Sequence, residues 1–393
     1  MTNSIDLKGM DTPLPQQLAE ARCQTDGLFP IVHSDSLYER PIPERHRMIF
    51  YLGHLEAFDW NLLAQYALDL PSFHPTFDRL FAFGIDPSEG DLPDDRVSDW
   101  PAVEEVMRYN QRTREVIDEA LPNVPDEMVQ AAIEHRLMHA ETLAYIIHNL
   151  EYDRKAPQAG WAAHGAAPRA RHRMIEIPGG AAELGLQRGK GFGWDNEYET
   201  CTMEVPAFSI GKYKVTNCEY LEFVRAGGSA PFFWRRAGDE WFYRGMFAEI
   251  PLPLDAPVYV TKCQAEAYAR WRGSALPTEA QFHRAAEGSA PSRNLDFHYW
   301  DAIPVTADDT PPDAPAQMTG NGWEWTSTVF GPFPGFAPLP YYTNYSAPFF
   351  DGQHYVLKGA SPRTARRFAR PSFRNWFRPS YPYIYATFRL VQS

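Results

Sequence analysis

The run Glu134-His135-Arg136-Leu137-Met138-His139-Ala140-Glu141, inside a helical stretch that continues to Asn149, constrains this chain most. Two residues four apart on an α-helix lie one turn above each other on the same face. Both imidazoles can therefore reach one metal ion while the opposite face packs. Leu137, Leu143, Ile146 and Ile147 make the helix apolar, so its polar groups stand where a core does not want them. Two explanations fit: a shared metal ion, or buried histidines hydrogen-bonded to backbone.

A metal held by two helix histidines wants a third ligand. His54 stands mid-helix among apolar neighbours, where a neutral polar ring needs a partner. His46, between Arg45 and Arg47, is expected to be solvated, and His33, His74 and His148 read as bystanders. Three histidines without a carboxylate suit Zn(II), Fe(II), Cu(II) or Ni(II), and the residue types do not choose among them. Three protein ligands leave coordination positions open, which is the catalytic arrangement.

The histidines fall within helical segments 14–31, 42–68 (with Pro43 in its first turn), 101–121 and 127–149. Four helices suffice for an antiparallel bundle, whose core is where facing helices bring ligands together. Segment 71–101, broken by Pro and Gly, reads as a structured loop. From Asp153 to His172 the composition turns to Ala, Pro, Gly and Arg, which suggests a linker over 153–172 between a helical domain, 1–152, and a second domain, 173–393. Beyond it the texture is strand-like around turns, as in IEIPGGAAELGL, YETCTMEVPAFSIGKYKVT and HYVLKGAS, with helices expected at Asn217–Ala226 and Lys262–Arg272. The fold class expected is α+β.

Composition narrows the function classes. The net charge of −13 gives no general attraction for phosphate backbones, so nucleic acid is not an expected partner. Four scattered cysteines without a C-x-x-C pair favour the reduced thiols of a cytoplasm. No signal-peptide pattern opens the sequence, and no apolar run approaches about 18 residues, so a cytoplasmic protein without membrane association is expected. Between Trp323 and Phe388 there are 19 aromatics in 66 residues, twice the density of the whole chain. They can be a β-rich core or the wall of a pocket, and aromatic faces suit a quaternary ammonium group. Arg363, Arg366, Arg367, Arg370, Arg374 and Arg378 in the same region can hold carboxylates or make surface ion pairs.

The strings VTNCEY, LPTEAQF, GNGWEW, VLKGAS and the terminal FRLV, in that order, resemble the formylglycine-generating-enzyme-like fold, which is related to C-type lectins. The N-terminal histidine bundle resembles the DinB-like four-helix fold. Their fusion, with FGWDNE near the start of the second domain, resembles the EgtB-type sulfoxide synthases of ergothioneine biosynthesis over about residues 14–391. The resemblance implies Fe(II) held by His54, His135 and His139, with O2 as co-substrate. It implies joining a chalcogen donor to the imidazole carbon between the two ring nitrogens of hercynine (Nα-trimethylhistidine), in a cleft between the domains. A family tyrosine that supplies a proton or electron is matched by Tyr342, with Tyr341 as the competing assignment, and a substrate-contacting tyrosine by Tyr345. The family's R-N-W segment, which helps hold hercynine, is matched by Arg374-Asn375-Trp376. True formylglycine-generating enzymes need C-terminal cysteines, and the last one here is Cys263.

Three departures bear on the donor and the substrate. Sulfoxide synthases using γ-glutamylcysteine carry an Asp directly after R-N-W, where this chain has Phe377. Of two arginines that bind donor carboxylates, the corresponding positions offer Thr76 and only Arg79. Buried unpaired charges are expensive, so these losses point to a less charged donor. They favour the selenoneine synthase (SenA-type) branch, which takes a seleno-sugar. Met138 stands where several relatives place a polar residue, which leaves open how the substrate imidazole is contacted. The alternatives are an ergothioneine-pathway synthase using cysteine or γ-glutamylcysteine, a Zn(II) DinB-type thiol transferase that needs neither O2 nor Tyr342, and a binding module with a merely structural bundle. The partners expected are small molecules.

Overall fold

The computed structural model describes residues 12–82, 95–156, 161, 170 and 172–392. They form two compact units, one before residue 160 and one from there on. The start of the sequence and most of the expected 153–172 linker lie outside the described residues.

The first unit is helical: α1 (Leu14–Asp26), α2 (Met48–Asp59), α3 (Pro75–Leu80), α4 (Val103–Ala120) and α5 (Asp126–Asn149). α5 packs against α1 and α2, and α2 packs against α4. Asp126 and Glu127 in the first turn of α5 complement the positive end of its dipole. At the other end the Lys155 ammonium donates to the carbonyls of Ile147 and His148, at 3.0 and 2.9 Å, satisfying two groups that the helix cannot.

Two boundaries differ by several residues from the sequence expectation. α1 stops at Asp26, because Gly27 and Pro30 turn the chain into a short 3-10 turn at Phe29–Ile31. α2 starts at Met48, so Pro43 is not in its first turn. Ile42 to Arg45 closes a turn, and Arg47 turns its guanidinium aside to Tyr38 O (2.7 Å) and Asp95 (2.8 Å). α2 also continues as a wider π-helix over Trp60–Tyr66. The region expected as loop contains α3, capped by His74, whose Nδ1 accepts the Phe77 N–H at 3.2 Å. Residues 83–94 of that region lie outside the described residues.

The second unit carries short strands and three short helices. The strands are β1 (Met174–Ile177), β2 (Gly180–Leu184), β3 (Cys201–Val205), β4 (Phe208–Gly211), β5 (Trp234–Ala237), β6 (Glu240–Arg244) and β7 (Glu249–Pro251), then β8 (Gly322–Val329), β9 (Tyr355–Ala360), β10 (Asn375–Phe377), β11 (Ala386–Thr387) and β12 (Val391–Gln392). The largest sheet has the order β10-β9-β8-β11, antiparallel except for β11 beside β8. Helices α6 (Asn217–Arg225), α7 (Lys262–Trp271) and α8 (Glu279–Ala286) each begin with a Thr capping box: Thr216 with Glu219, Thr261 with Gln264, Thr278 with Gln281. In each, the threonine hydroxyl and the third helical residue satisfy each other's backbone N–H. α8 was not among the expected helices, although Thr278-x-x-Gln281 announces it.

The motif strings are tied together by buried ion pairs. Glu324 of GNGWEW accepts from Lys214 (2.6 Å) and Arg389 of FRLV (2.9 Å), all fully buried. Burial lowers the Lys214 ammonium to about 8 despite Glu324. Glu279 of LPTEAQF binds Arg374 at 3.0 and 3.1 Å, and Lys358 of VLKGAS lies 3.7 Å away. Glu197 of FGWDNE pairs with Arg370 and accepts from Ser372 at 2.7 Å. Much of what is unusual in these strings therefore builds scaffold.

Candidate functional site

His54 on α2 and His135 and His139 on α5 converge at the buried face between the two helices. His54 Nε2 lies 3.1 Å from His139 Nε2, which lies 3.1 Å from His135 Nε2. All three rings are 4% exposed or less, so no open solvent competes for their lone pairs. Burial lowers the His54 imidazole to about 4 and holds the other two well below the ordinary histidine range. The rings are therefore neutral near pH 7.

The tautomer of His54 follows from its neighbour. Its Nδ1 lies 2.6 Å from the Phe81 carbonyl oxygen, which can only accept. The proton is thus on Nδ1, and Nε2 presents a lone pair to the other two rings, the arrangement of a metal-ligating histidine with its outer partner. Gly53 makes the approach possible, because a Cβ there would fall 2.6 Å from the Phe81 ring. Phe50 stacks on His54 at 4.7 Å and Phe58 on His135 at 3.4 Å, fixing the ring planes.

Beside the triad lies an ionic network that the sequence reading did not single out. Arg136, fully buried, donates to Glu56 at 2.9 and 3.0 Å, to Asp59 at 2.6 Å and to the Leu55 carbonyl at 3.1 Å. Arg114 reaches Glu56 and Asp26 from α4. Burial alone would raise the Glu56 carboxyl, but Arg136 and Arg114 outweigh it and hold it at about 2. Asp59 moves up, because burial and the charge of Glu56 exceed the pull of Arg136. The network locks α2 to α5 next to the histidines that each contributes.

In the second unit, Tyr345 stacks on Trp194 at 4.1 Å, and Tyr342 meets both at 6.3 Å from Trp194 and 5.6 Å from Tyr345. Trp376 closes the cluster, 5.4 Å from Tyr345 and stacked on Phe330 at 4.4 Å. Below it Ser346 donates to Asp195 at 2.5 Å. The structure thus brings Tyr342, Tyr345 and Trp376 together, with Trp194 as a member that sequence reasoning missed. The fixed order of FGWDNE was the available signal.

Phe377 and Asn375 do not join that cluster. In β10 successive side chains alternate between faces, and Phe377 stacks on Tyr381 at 5.2 Å instead. The Asn375 Oδ1 accepts the Trp376 N–H at 2.9 Å. Arg374, which the R-N-W resemblance places at the substrate, is buried on Glu279, and its guanidinium also reaches the carbonyls of Asn196 and Gly331. In the helical unit Arg79 is exposed on α3, and Met138 is half-buried on α5 beside His139.

Residues 162–312 and 313–393 match the sulfatase-modifying factor enzyme 1-like domain. Over 337 residues the chain is 32% identical to the hercynine oxygenase of Mycolicibacterium thermoresistibile, covering 73% of this chain and 74% of that protein. It is 33% identical to the hercynine oxygenase of Mycolicibacterium smegmatis, covering 66% of this chain and 70% of the relative. Ergothioneine biosynthesis protein 1 of Neurospora crassa is 26% identical over 91% of this chain, which spans only 55% of that protein's length. A strand-rich unit that follows in sequence a helical unit with three converging histidines defines the class. The chain belongs to the sulfatase-modifying factor enzyme 1-like family, in the group that includes the hercynine oxygenases. None of the described helices is long and apolar enough to cross a membrane.

Proposed function

We propose that this chain is an Fe(II)- and O2-dependent enzyme that joins a selenium or sulfur donor to the imidazole carbon of hercynine. The observation that carries the proposal is the convergence of three neutral, buried histidine Nε2 atoms, in a chain whose relatives are named for hercynine oxygenation. The residues fit a metal: His54 is held in the ligating tautomer by Phe81, and a trio of neutral imidazoles suits iron among the divalent ions. When bound, Fe(II) supplies one-electron chemistry with O2 and open positions for a soft donor atom.

The chain's own residues do the rest. Phe50 and Phe58 hold the ligating rings and keep water from them. Trp376 and Tyr345 offer aromatic surface to the trimethylammonium group, with the buried Trp194 backing Tyr345. Tyr342 supplies the proton or electron that completes the oxidation. Forming the bond from a donor Se–H or S–H and an imidazole C–H releases two electrons and two protons, which O2 accepts. Phe377, stacked on Tyr381, offers no charge to a donor ammonium, and the two positions matched to carboxylate-binding arginines carry Thr76 and Arg79. A neutral seleno-sugar is therefore the donor favoured. The relatives' part in ergothioneine biosynthesis supports a cysteine-type thiol as the alternative.

Tyr342→Phe is expected to lower the rate of bond formation by about 10²–10⁴-fold, or to divert the donor to its own oxidation, while hercynine still binds. Product analysis beside a calorimetric binding measurement separates the two effects. Full activity in this variant removes Tyr342 from the mechanism.

A further inference from the structure

We propose that Arg363 forms a buried binding site for a small carboxylate anion, seated on the paired N–H groups of its Nε and Nη2. Arg363 follows β9 and is 1% exposed. Its Nη1 donates to the Phe297 carbonyl at 3.1 Å, while Nε and Nη2 make no hydrogen bond to any described residue. Those two nitrogens form one edge of the guanidinium, with parallel N–H bonds spaced to match the two oxygens of a carboxylate.

Buried Arg22 also leaves its Nε and Nη2 without a hydrogen bond among the described residues, but its Nη1 carries the Asp118 carboxylate. Arg136, Arg374 and Arg389 each carry a carboxylate on the guanidinium, from Glu56, Glu279 and Glu324. Arg363 has no ion-pair partner among the described residues. The carboxylate that bears on it, Asp301, is engaged elsewhere: it accepts the Met246 N–H at 3.0 Å and the Trp161 indole N–H at 3.1 Å. A desolvated cation with an empty fork is costly, and an anion that fills the fork offsets that cost. Burial pushes the Arg363 guanidinium down to about 9, outweighing the opposing pull of Tyr385, Asp301 and Tyr259.

The surroundings suit a small, flat anion. Trp300 lies over the guanidinium at 3.5 Å and Phe297 at 5.6 Å, so aromatic rings rather than a carboxylate lie against the cation. Both rings are half-buried, so they stand between the guanidinium and the surface. The site stands at the opposite end of β9 from Tyr355, the residue that pairs with Phe377, and so it is separate from the aromatic cluster of Trp376. It does not depend on the reading of the histidine triad.

The test is thermal unfolding of the full chain in sodium formate against sodium chloride at equal ionic strength. We expect formate to raise the Tm of the wild type in a saturable way, well beyond chloride. We expect Arg363→Met to match or exceed the wild type's Tm without formate, and to ignore formate. Arg363→Lys, which keeps the charge and loses the fork, is expected to lose most of the response. A second readout needs no folded variant at position 363: formate should change the Trp300 contribution to fluorescence, taken as the difference between wild type and Trp300→Phe. Equal responses to formate and chloride, a formate response that survives in Arg363→Met, or no formate-dependent signal from Trp300 would each overturn the proposal.

Discussion

Replacing His139 with alanine is expected to abolish metal retention and, with it, all product formation. His139 Nε2 is the middle atom of the triad, 3.1 Å from both His54 and His135, so its loss leaves two ligands without the group between them. The fall in metal affinity should exceed the roughly 10–100-fold that removal of an outer partner costs. Folding should survive, because the ring that disappears is a buried polar group whose desolvation opposed folding. Elemental analysis with circular dichroism checks both halves. Wild-type metal content in a folded His139→Ala protein would show that the metal binds elsewhere.

Arg136→Met is the second large effect, on stability and through it on the site. The variant leaves Glu56 and Asp59 buried without their shared cation, 1% and 0% exposed. Breaking a buried pair by removing one partner costs about 3–5 kcal/mol. Calorimetry of the full chain should show a lowered transition, together with weaker metal binding, because α2 and α5 lose the tie beside their histidines. Adding Asp59→Asn should recover part of the loss, since a neutral amide is cheaper to bury than a carboxylate that has lost its cation, whereas Glu56 keeps Arg114. Unchanged stability in Arg136→Met alone would mean that apolar packing, not the network, fixes the helices.

The bundle and the three histidines were legible in the sequence because helical periodicity is local: His135 and His139 share a face by arithmetic, and His54 had few apolar reasons to be where it is. The network around Arg136 was not legible. Nothing in their local sequence singles out Glu56, Asp59 or Arg114, and only the packing of α2 on α4 and α5 brings them together. The tautomer of His54 depends on Phe81, 27 residues away, and on a glycine whose purpose is invisible without its neighbour. In the second unit the motif order identified the fold, but not which motif residues are scaffold. Arg370 and Arg374, expected to hold carboxylates or to make surface ion pairs, pair instead with the buried Glu197 and Glu279 of the scaffold. Helix boundaries failed where proline and arginine redirected the chain, as at Ile42 to Arg47.

Anaerobic loading with Fe(II), followed by O2 with hercynine and one of three donors, tests the proposed chemistry most directly. The donors are cysteine, γ-glutamylcysteine and 1-seleno-N-acetylglucosamine, and mass spectrometry reads the product. We expect an O2-dependent adduct at the hercynine imidazole carbon with the seleno-sugar. An adduct formed only with a cysteine-type thiol would keep the oxidative reaction and overturn the donor inferred from Phe377 and Thr76. No adduct with any donor, in a protein that retains zinc rather than iron, would contradict the oxidative chemistry altogether.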